Sequence, residues 1–252
     1  MAYHAAFDLD LALALKDQLV AAFSDLEIGP LDGPSVASIK KDQGVYKLFY
    51  KELLVYVGKT DSLQKRLGEH LTKIQGRNNI SADDMGFKCL YVHKNWTPLA
   101  PEESLIKFFK SRGEGQCEWN GNGFGPHDPG RERETTNKHP DGFDAKYPIQ
   151  YEWPCTWIRP KNWNILELLL SLKANLPFLL RYETAGKKGH YTKGHADQRT
   201  AMVNIPKAGM RIDEILGRIA NAMPGWQATR FPSHMILYKE DREYKYGEKL
   251  TP

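Results

Sequence analysis

The sequence predicts an α+β protein: a small antiparallel sheet flanked by helices, followed by a C-terminal α/β extension. Three observations support this. The stretch GVYKLFYKELLVYVGKT (44–60) has the pattern of a hairpin, two amphipathic helices flank a further strand after it, and the region from about 147 alternates apolar helices with short strands. We therefore expect one domain over residues 1–146 and a second lobe over 147–252.

The elements of the first domain follow in order. Residues 7–23 predict a helix, and IGPLDGP (28–34) a loop. After the hairpin, DSLQKRLGEHLTKI (61–74) predicts a helix whose apolar stripe is Leu63, Leu67, Leu71 and Ile74. A strand over 86–94 and a helix from about 101 come next, and then a loop over 113–134 that is rich in Gly, Asn and Pro.

The second lobe has fewer distinctive signals. A helix is predicted over NWNILELLLSLKANL (162–176), strands over PFLLRYET (177–184) and TAMVNIP (200–206), and an amphipathic helix over RIDEILGRIANAM (211–223). WQATRFPSHMILYKE (226–240) predicts a final strand interrupted by Pro232. The lobe exceeds what the first domain needs, and its role is left open between dimer contacts, sequence reading and a partner interface.

Composition excludes several classes of protein. The chain has 252 residues, a formal net charge of +4 and a pI near 8.8, which permits a polyanionic partner without demanding one. No run of about 18 apolar residues predicts a membrane span, and the N-terminus lacks a secretory signal. Three widely separated cysteines favour a reducing compartment over a disulfide framework. We expect a cytoplasmic protein with no membrane partner.

Several polar residues have ordinary explanations when each is taken alone. Arg66 and His70 share a helix face that differs from the leucine stripe, as solvated residues often do. Acids such as Glu102 and Glu103 in a first turn interact favourably with the helix dipole, and Asn120 is a common turn residue. GKT (58–60) does not complete a phosphate-binding loop, because Leu53 stands where that motif needs a glycine.

The order of these features gives them another meaning. Along the chain come Gly44-Val45-Tyr46, Tyr56-Val57-Gly58, LQKRLGEH (63–70), EESLIKFF (102–109) and EWN (118–120). This succession resembles the GIY-YIG nuclease superfamily, with valine for isoleucine in each triplet. The resemblance covers roughly residues 40–125. The Gly-Phe-Gly run at 123–125 is similar to the type II restriction endonuclease branch.

The resemblance implies a Mg²⁺-dependent endonuclease that hydrolyses double-stranded DNA, with Mn²⁺ as a possible substitute. It gives Glu102, rather than Glu103, the place of the metal ligand. Tyr46 would be the general base, directly or through His70, and Arg66 would bind the scissile phosphate. Three further residues would support the site: Tyr56 would position water or phosphate, Asn120 would hold the loop, and Lys59 would add a nearby cation.

Binding to a polyanion requires basic side chains along one surface. Five candidates lie in predicted loops: Arg77, Arg131, Arg133, Lys187 and Lys188. The run RERE (131–134) is equally consistent with a solvated, self-neutralising segment. A homodimer is expected, since two-fold symmetry can match a palindromic site. Two alternatives remain: a repair or mobile-element nuclease, and a non-cleaving DNA-binding protein on the same fold.

The hairpin makes a structural demand. Tyr46 and Tyr56 share a sheet face only in certain registers, because a slip of one residue turns every side chain over. A two-residue turn at Lys51-Glu52 would separate them, and it usually needs Asn-Gly or Gly. A three-residue turn favours glycine as well, so turn chemistry does not decide between them. On functional grounds we predict a three-residue turn over 50–52, which pairs Tyr46 with Tyr56, or an equivalent bulge.

Overall fold

The computed structural model describes residues 3–4, 6, 10–93, 102–111, 117–125, 134, 142–185 and 190–250. The chain forms two compact units. Unit 1 comprises Met1–Ile74 and Ser81–Gly125, and unit 2 comprises Gln75–Ile80 and Pro126–Pro252. The α+β class is confirmed. The spatial division differs from the predicted boundary at 146, because residues 75–80 and 126–146 group with the C-terminal unit.

Unit 1 is built on a four-stranded sheet. Its strands are β1 (Gly29–Pro30), β2 (Gly44–Tyr50), β3 (Leu53–Thr60) and β4 (Met85–Tyr91), in the order β1-β4-β2-β3 with every pair antiparallel. β1 lies in the stretch predicted as a loop. β2 has a neighbour on each side and is buried from Gly44 to Phe49, so Tyr46 occupies the centre of the sheet.

The helices of unit 1 are α1 (Leu11–Ser24), α2 (Gly33–Ser38), α3 (Leu63–Gln75) and α4 (Glu102–Ser111). α1 and α4 cover the sheet face that carries Val45 and Phe49, where their apolar side chains form one core. α3 covers the opposite face and buries Leu63, Leu67, His70 and Ile74. His70 therefore lies on the buried stripe, where the sequence analysis had placed Leu71. The predicted start of α1 at residues 7–9 lies outside the described residues.

The hairpin between β2 and β3 corrects one prediction and satisfies another. The turn has two residues, Lys51 and Glu52, both in the left-handed region with φ of 48° and 66°, so the predicted three-residue turn is wrong. A bulge follows, in which Phe49 pairs with Leu54 but Leu48 pairs with Tyr56. The extra residue, Val55, shifts the pairing by one position. Tyr56 therefore lies on the same face as Leu48, and Tyr46 lies on that face too.

Unit 2 has helices on a mixed sheet. Its helices are α5 (Phe143–Lys146), α6 (Ile165–Asn175), α7 (Ala196–Thr200) and α8 (Ile212–Ala222). Its strands are β5 (Lys161–Asn164), β6 (Leu179–Tyr182), β7 (Met202–Ile205), β8 (Gln227–Arg230), β9 (His234–Tyr238) and β10 (Glu248–Lys249). The larger sheet has the order β10-β8-β9-β6, with β6 and β9 parallel, and β5 pairs with β7 separately.

Two predicted elements of this unit change. The first residues of the predicted helix at 162–176 belong to β5, and the side-chain oxygen of Asn164 caps α6 by accepting hydrogen bonds from the amides of Leu166 and Glu167. The predicted last strand is a hairpin of β8 and β9, with Pro232 between them. Among the described helices, none is both long enough and apolar enough to cross a bilayer.

Candidate active site

A buried cluster of two tyrosines and a histidine lies between the sheet of unit 1 and α3. The hydroxyl of Tyr46, whose side chain is only 1% exposed, is 2.8 Å from Nε2 of His70. The ring of Tyr56 lies on the same face, with its centre 6.1 Å from that of Tyr46 and 5.6 Å from that of His70. The structure thus brings together three residues that the sequence analysis selected.

Gly58 leaves the space that the Tyr46 hydroxyl occupies. It pairs with Tyr46 across the ladder, and a Cβ built on it would lie 2.4 Å from Oη of Tyr46 and 2.9 Å from Cε1 of Tyr56. Both atoms belong to packed rings that cannot swing aside freely. The glycine of the second triplet is therefore a steric requirement of the cluster, independent of backbone φ.

Phe124 covers the cluster, and the sequence analysis did not select it. Its ring stacks on His70 at 4.8 Å with an interplanar angle of 16° and approaches Tyr56 at 5.0 Å. Nζ of Lys73 donates to the Phe124 carbonyl at 2.6 Å and lies 4.6 Å from the ring centre. Helical spacing offered a signal for Lys73, which is three residues after His70. For Phe124, the signal was an apolar ring within a glycine-rich loop.

Arg66 presents its guanidinium beside the tyrosines. Its Nη1 donates to Oε2 of Glu69 at 2.9 Å, while its Nε is buried and has no hydrogen-bond partner among the described residues. Burial by itself lowers the pKa of Arg66, but electrostatic interactions with Tyr46, Glu69 and Tyr56, together with the hydrogen bond to Glu69, outweigh it and raise the pKa. The side chain therefore stays cationic and keeps an unused donor, as binding of a phosphate requires.

His70 is neutral at neutral pH. Burial, followed by the positive charges of Arg66 and Lys73, holds the pKa of its imidazole well below the usual 6.5. A neutral imidazole has one donor and one acceptor nitrogen. In the tautomer that carries the proton on Nδ1, Nε2 accepts a hydrogen bond from the Tyr46 hydroxyl. Nε2 of His70 is thus placed to accept the phenolic proton of Tyr46.

Asn120 ties a loop to the free edge of β3. The amide of Val57 donates to Oδ1 of Asn120 at 2.9 Å, and Nδ2 of Asn120 donates to the Val57 carbonyl at 2.8 Å. Backbone bonds from Cys117 to Leu54 and from Trp119 to Val55 extend the same contact along the strand. Because Val57 stands between Tyr56 and Gly58, the Asn120 side chain fixes the backbone that orients both.

The predicted metal ligand begins α4. Glu102 is the first residue of that helix, and its side chain lies outside the described residues. The described part of the chain contains no group of three or more His, Cys, Asp or Glu side chains placed to hold a metal ion. Mg²⁺ commonly takes one or two carboxylates and keeps several waters. A single glutamate, Glu102, is therefore enough protein ligand for such a site.

Two predicted cations are placed elsewhere. Lys59 pairs with Val45, so its side chain leaves β3 on the face covered by α1 and α4, away from Tyr46 and Tyr56. Arg77 is only 3% exposed and donates to Oδ1 of Asp144 at 2.8 Å and to the carbonyls of Tyr147 and Pro232. Its guanidinium is committed to the interior of unit 2, which corrects its assignment as a DNA contact. Arg131, Arg133, Lys187 and Lys188 lie outside the described residues.

The chain was compared with known proteins. Residues 51–144 match the family model described as the Eco29kI GIY-YIG domain. The match begins at the turn between β2 and β3, so the strand that carries Tyr46 lies before it, whereas Tyr56, Arg66, His70 and Asn120 lie within it. No curated protein matches the chain.

Proposed function

We propose that the chain is a Mg²⁺-dependent endonuclease, because residues 51–144 match the family model described as the Eco29kI GIY-YIG domain. Its proposed substrate is double-stranded DNA, cut in the manner of a type II restriction enzyme. The observation that best supports this is the 2.8 Å contact between the Tyr46 hydroxyl and Nε2 of a neutral His70.

The proposed first step is activation of water. Tyr46 takes a proton from the attacking water through Oη while its own phenolic proton passes to Nε2 of His70, so the phenol stays neutral overall. The imidazolium that forms is disfavoured by burial and by Arg66 and Lys73, and it therefore returns its proton readily after bond cleavage. Any phenolate character on Tyr46 is stabilised by the adjacent cationic Arg66.

Arg66 is proposed to bind the scissile phosphate. Its buried Nε, which has no partner in the described part of the chain, supplies a donor. If a phosphate oxygen replaced Glu69, Nη1 would bind the phosphate as well. The Tyr56 hydroxyl would position the water or the phosphate. Glu102 would hold Mg²⁺, which when bound supplies positive charge to the phosphoryl oxygens.

The proposed DNA surface keeps Arg131, Arg133, Lys187 and Lys188 and no longer includes Arg77. Lys59 is no longer proposed as a cation beside the tyrosines. A homodimer acting in the cytoplasm on a symmetric site remains part of the proposal. Arg131 and Arg133 follow the glycine-rich loop in sequence, where a guanidinium can contact guanine edges in the major groove.

Digestion of unmethylated plasmid DNA tests the proposal. With Mg²⁺, the wild-type protein should give discrete fragments, and EDTA should abolish them. Glu102→Ala should slow cleavage by about 1,000-fold while DNA binding is retained, because the metal contributes several kcal/mol of charge stabilisation. Glu103→Ala, which alters the neighbouring acid, is the matched control and should cut within about threefold of the wild type.

The outcomes separate the parts of the proposal. Undiminished cutting by Glu102→Ala would show that the metal assignment is wrong. Cutting confined to branched substrates would indicate a repair-type nuclease. Binding of plasmid DNA with no cutting under any divalent cation would contradict the nuclease proposal altogether.

A further inference from the structure

Unit 2 contains a cavity of about 390 Å³, and no residue of the tyrosine cluster in unit 1 lines it. Two cationic side chains line it, Lys173 from α6 and Arg181 from β6. The remaining wall is largely ring surface, from Tyr182, His190, Tyr191 and Tyr238. A cavity of several hundred Å³ is of the size that holds a small organic ligand.

The charges around this cavity favour an anion. Nζ of the half-buried Lys173 donates to the Leu180 carbonyl at 2.9 Å, and no carboxylate among the described residues forms an ion pair with it. Arg181 is already paired with Glu134 at 2.6 Å. Burial, and then repulsion from Arg181, lowers the pKa of Lys173. Of the two cations, only Arg181 is paired with a carboxylate among the described residues, and an anion beside Lys173 would offset the repulsion between them.

The ring surface favours a ligand with a flat face. Tyr191 is 46% exposed, and its ring stacks on that of His190 at 5.4 Å with an interplanar angle of 27°. The Tyr182 hydroxyl donates to the Tyr191 carbonyl at 3.2 Å and so fixes this exposed pair beside the cations. Bases stack on such exposed aromatic side chains in single-strand binding proteins. An anion joined to a flat ring is the chemistry of a nucleotide.

We propose that this cavity binds one unpaired nucleotide, with its phosphate next to Lys173 and Arg181 and its base against the ring of Tyr191. Two sources offer the same chemistry: a base that is single-stranded or turned out of the duplex, and a free mononucleotide. The first source rests on the proposed function, because it takes DNA as the substrate. The site would then be a second DNA contact, beyond the residues that cleave.

Binding without divalent metal tests the site separately from cleavage. Three fluorescent probes of mixed sequence or composition are titrated over a range of salt: a single-stranded oligonucleotide, the same sequence as a duplex, and a deoxynucleoside monophosphate. Lys173→Gln should weaken single-strand binding about tenfold and reduce the salt slope by about one, as loss of one phosphate contact does. Tyr191→Ala should also weaken it about tenfold, with an unchanged slope.

Conservative and matched variants control for folding and for general charge loss. Tyr191→Phe keeps the ring and should bind as the wild type does. Lys161→Gln removes an exposed lysine that lies 3.9 Å from the ring centre of Trp163 and does not line the cavity, and it should leave binding within about twofold. Circular dichroism melts verify that each variant is folded.

Loss of single-strand binding in Lys173→Gln and Tyr191→Ala, with the controls intact, would support DNA as the source. If the two variants lose binding of the deoxynucleoside monophosphate only, a free nucleotide is supported as the source. If folded Lys173→Gln and Tyr191→Ala bind all three probes as the wild type does, or if the wild type binds none, the site is wrong. That result would leave the Glu102 cleavage test untouched, so the two failures are distinguishable.

Discussion

Two buried histidines, one in each unit, are held in nearly the same way. His70 stacks on Phe124 with ring centres 4.8 Å apart, and His234 stacks on Phe231 at 4.9 Å. Exposure is 4% for the first and 0% for the second. Stacking and burial therefore do not distinguish a catalytic candidate from a structural residue.

The partners of the two rings differ. Nε2 of His70 faces the Tyr46 hydroxyl, and the nearby charges are cationic. Nε2 of His234 lies 3.2 Å from Oε1 of Glu134, and its Nδ1 lies 2.6 Å from the Ser233 hydroxyl. The cationic surroundings keep His70 neutral, so its Nε2 can accept the hydrogen bond from Tyr46, whereas Nε2 of His234 faces a carboxylate that holds the ring in place. The comparison teaches that the charge of the neighbours sets the role of a buried imidazole.

The largest expected effect is on cleavage. His70→Gln should slow single-turnover cleavage by at least about 100-fold with DNA affinity retained, because general acid–base groups contribute roughly 10²–10⁴-fold. Tyr46→Phe should do the same. The double variant should be no slower than the worse single one, since the two groups act as a unit. If the losses multiply instead, the proton does not pass between them.

His234→Gln should affect stability instead of chemistry. Loss of the His234–Glu134 hydrogen bond should lower the free energy of unfolding by about 2 kcal/mol, the range for bonds to charged groups. Urea unfolding measures the change, and the cleavage rate of the folded variant should remain within about twofold of the wild type. If His234→Gln stays stable but loses cleavage, His234 has a role in the chemistry and its assignment as a structural residue is wrong.

The third expected effect is on the pH dependence of unfolding. The folded pKa of His70 lies well below its unfolded value near 6.5, so below that pH the unfolded chain binds a proton that the folded chain does not. Stability should therefore fall as the pH falls below 6.5, by up to about 1.4 kcal/mol per pH unit.

Urea unfolding at pH 7.0 and 5.5 checks this, and His70→Gln should remove the difference. Glu134 does not confuse the measurement. Its pKa is lowered to about 2 because hydrogen bonds from His234 and Arg181 outweigh burial, so its stabilising effect is lost only at more acidic pH. An equal slope in wild type and variant would show that His70 is not the group responsible.

The smallest expected effect concerns Glu69, the carboxylate that is paired with Arg66. Glu69→Gln should free Arg66 for phosphate and tighten DNA binding by about threefold, since a partly exposed ion pair is worth at most about 1 kcal/mol. Fluorescence anisotropy measures this change, and the turnover number should not move. Glu167→Gln, at an exposed position in unit 2, is the control. Weaker binding by Glu69→Gln would indicate that Glu69 positions Arg66 for DNA.

The sequence predicted the parts of the cluster that depend on local spacing. Tyr46 and Tyr56 belong to one hairpin, and Arg66 and His70 are one helical turn apart, so their proximity follows from element type. The turn was mispredicted because Lys51 and Glu52 adopt left-handed backbone that usually selects glycine or asparagine. The bulge after the turn could not be predicted, because it lies within a continuous run of apolar residues that shows no alternation.

What the sequence could not predict depends on distant partners. Arg77 resembled a DNA contact because its partner, Asp144, is 67 residues away in the chain. The same limit hid the Lys173 and Arg181 cavity, whose rings come from β6, from residues 190–191 and from β9. Long-range pairing of this kind is fixed by packing, which short motifs do not encode.

The loop segment at 117–120 has a consequence for protein handling. β3 is an edge strand, and such edges invite pairing with the strands of other molecules. Backbone donors of Cys117 and Trp119 and the side chain of Asn120 occupy this edge. An Asn120 substitution would thus unmask a template for aggregation as well as disturb Tyr56 and Gly58. Its loss of activity should be interpreted only beside light scattering and soluble yield.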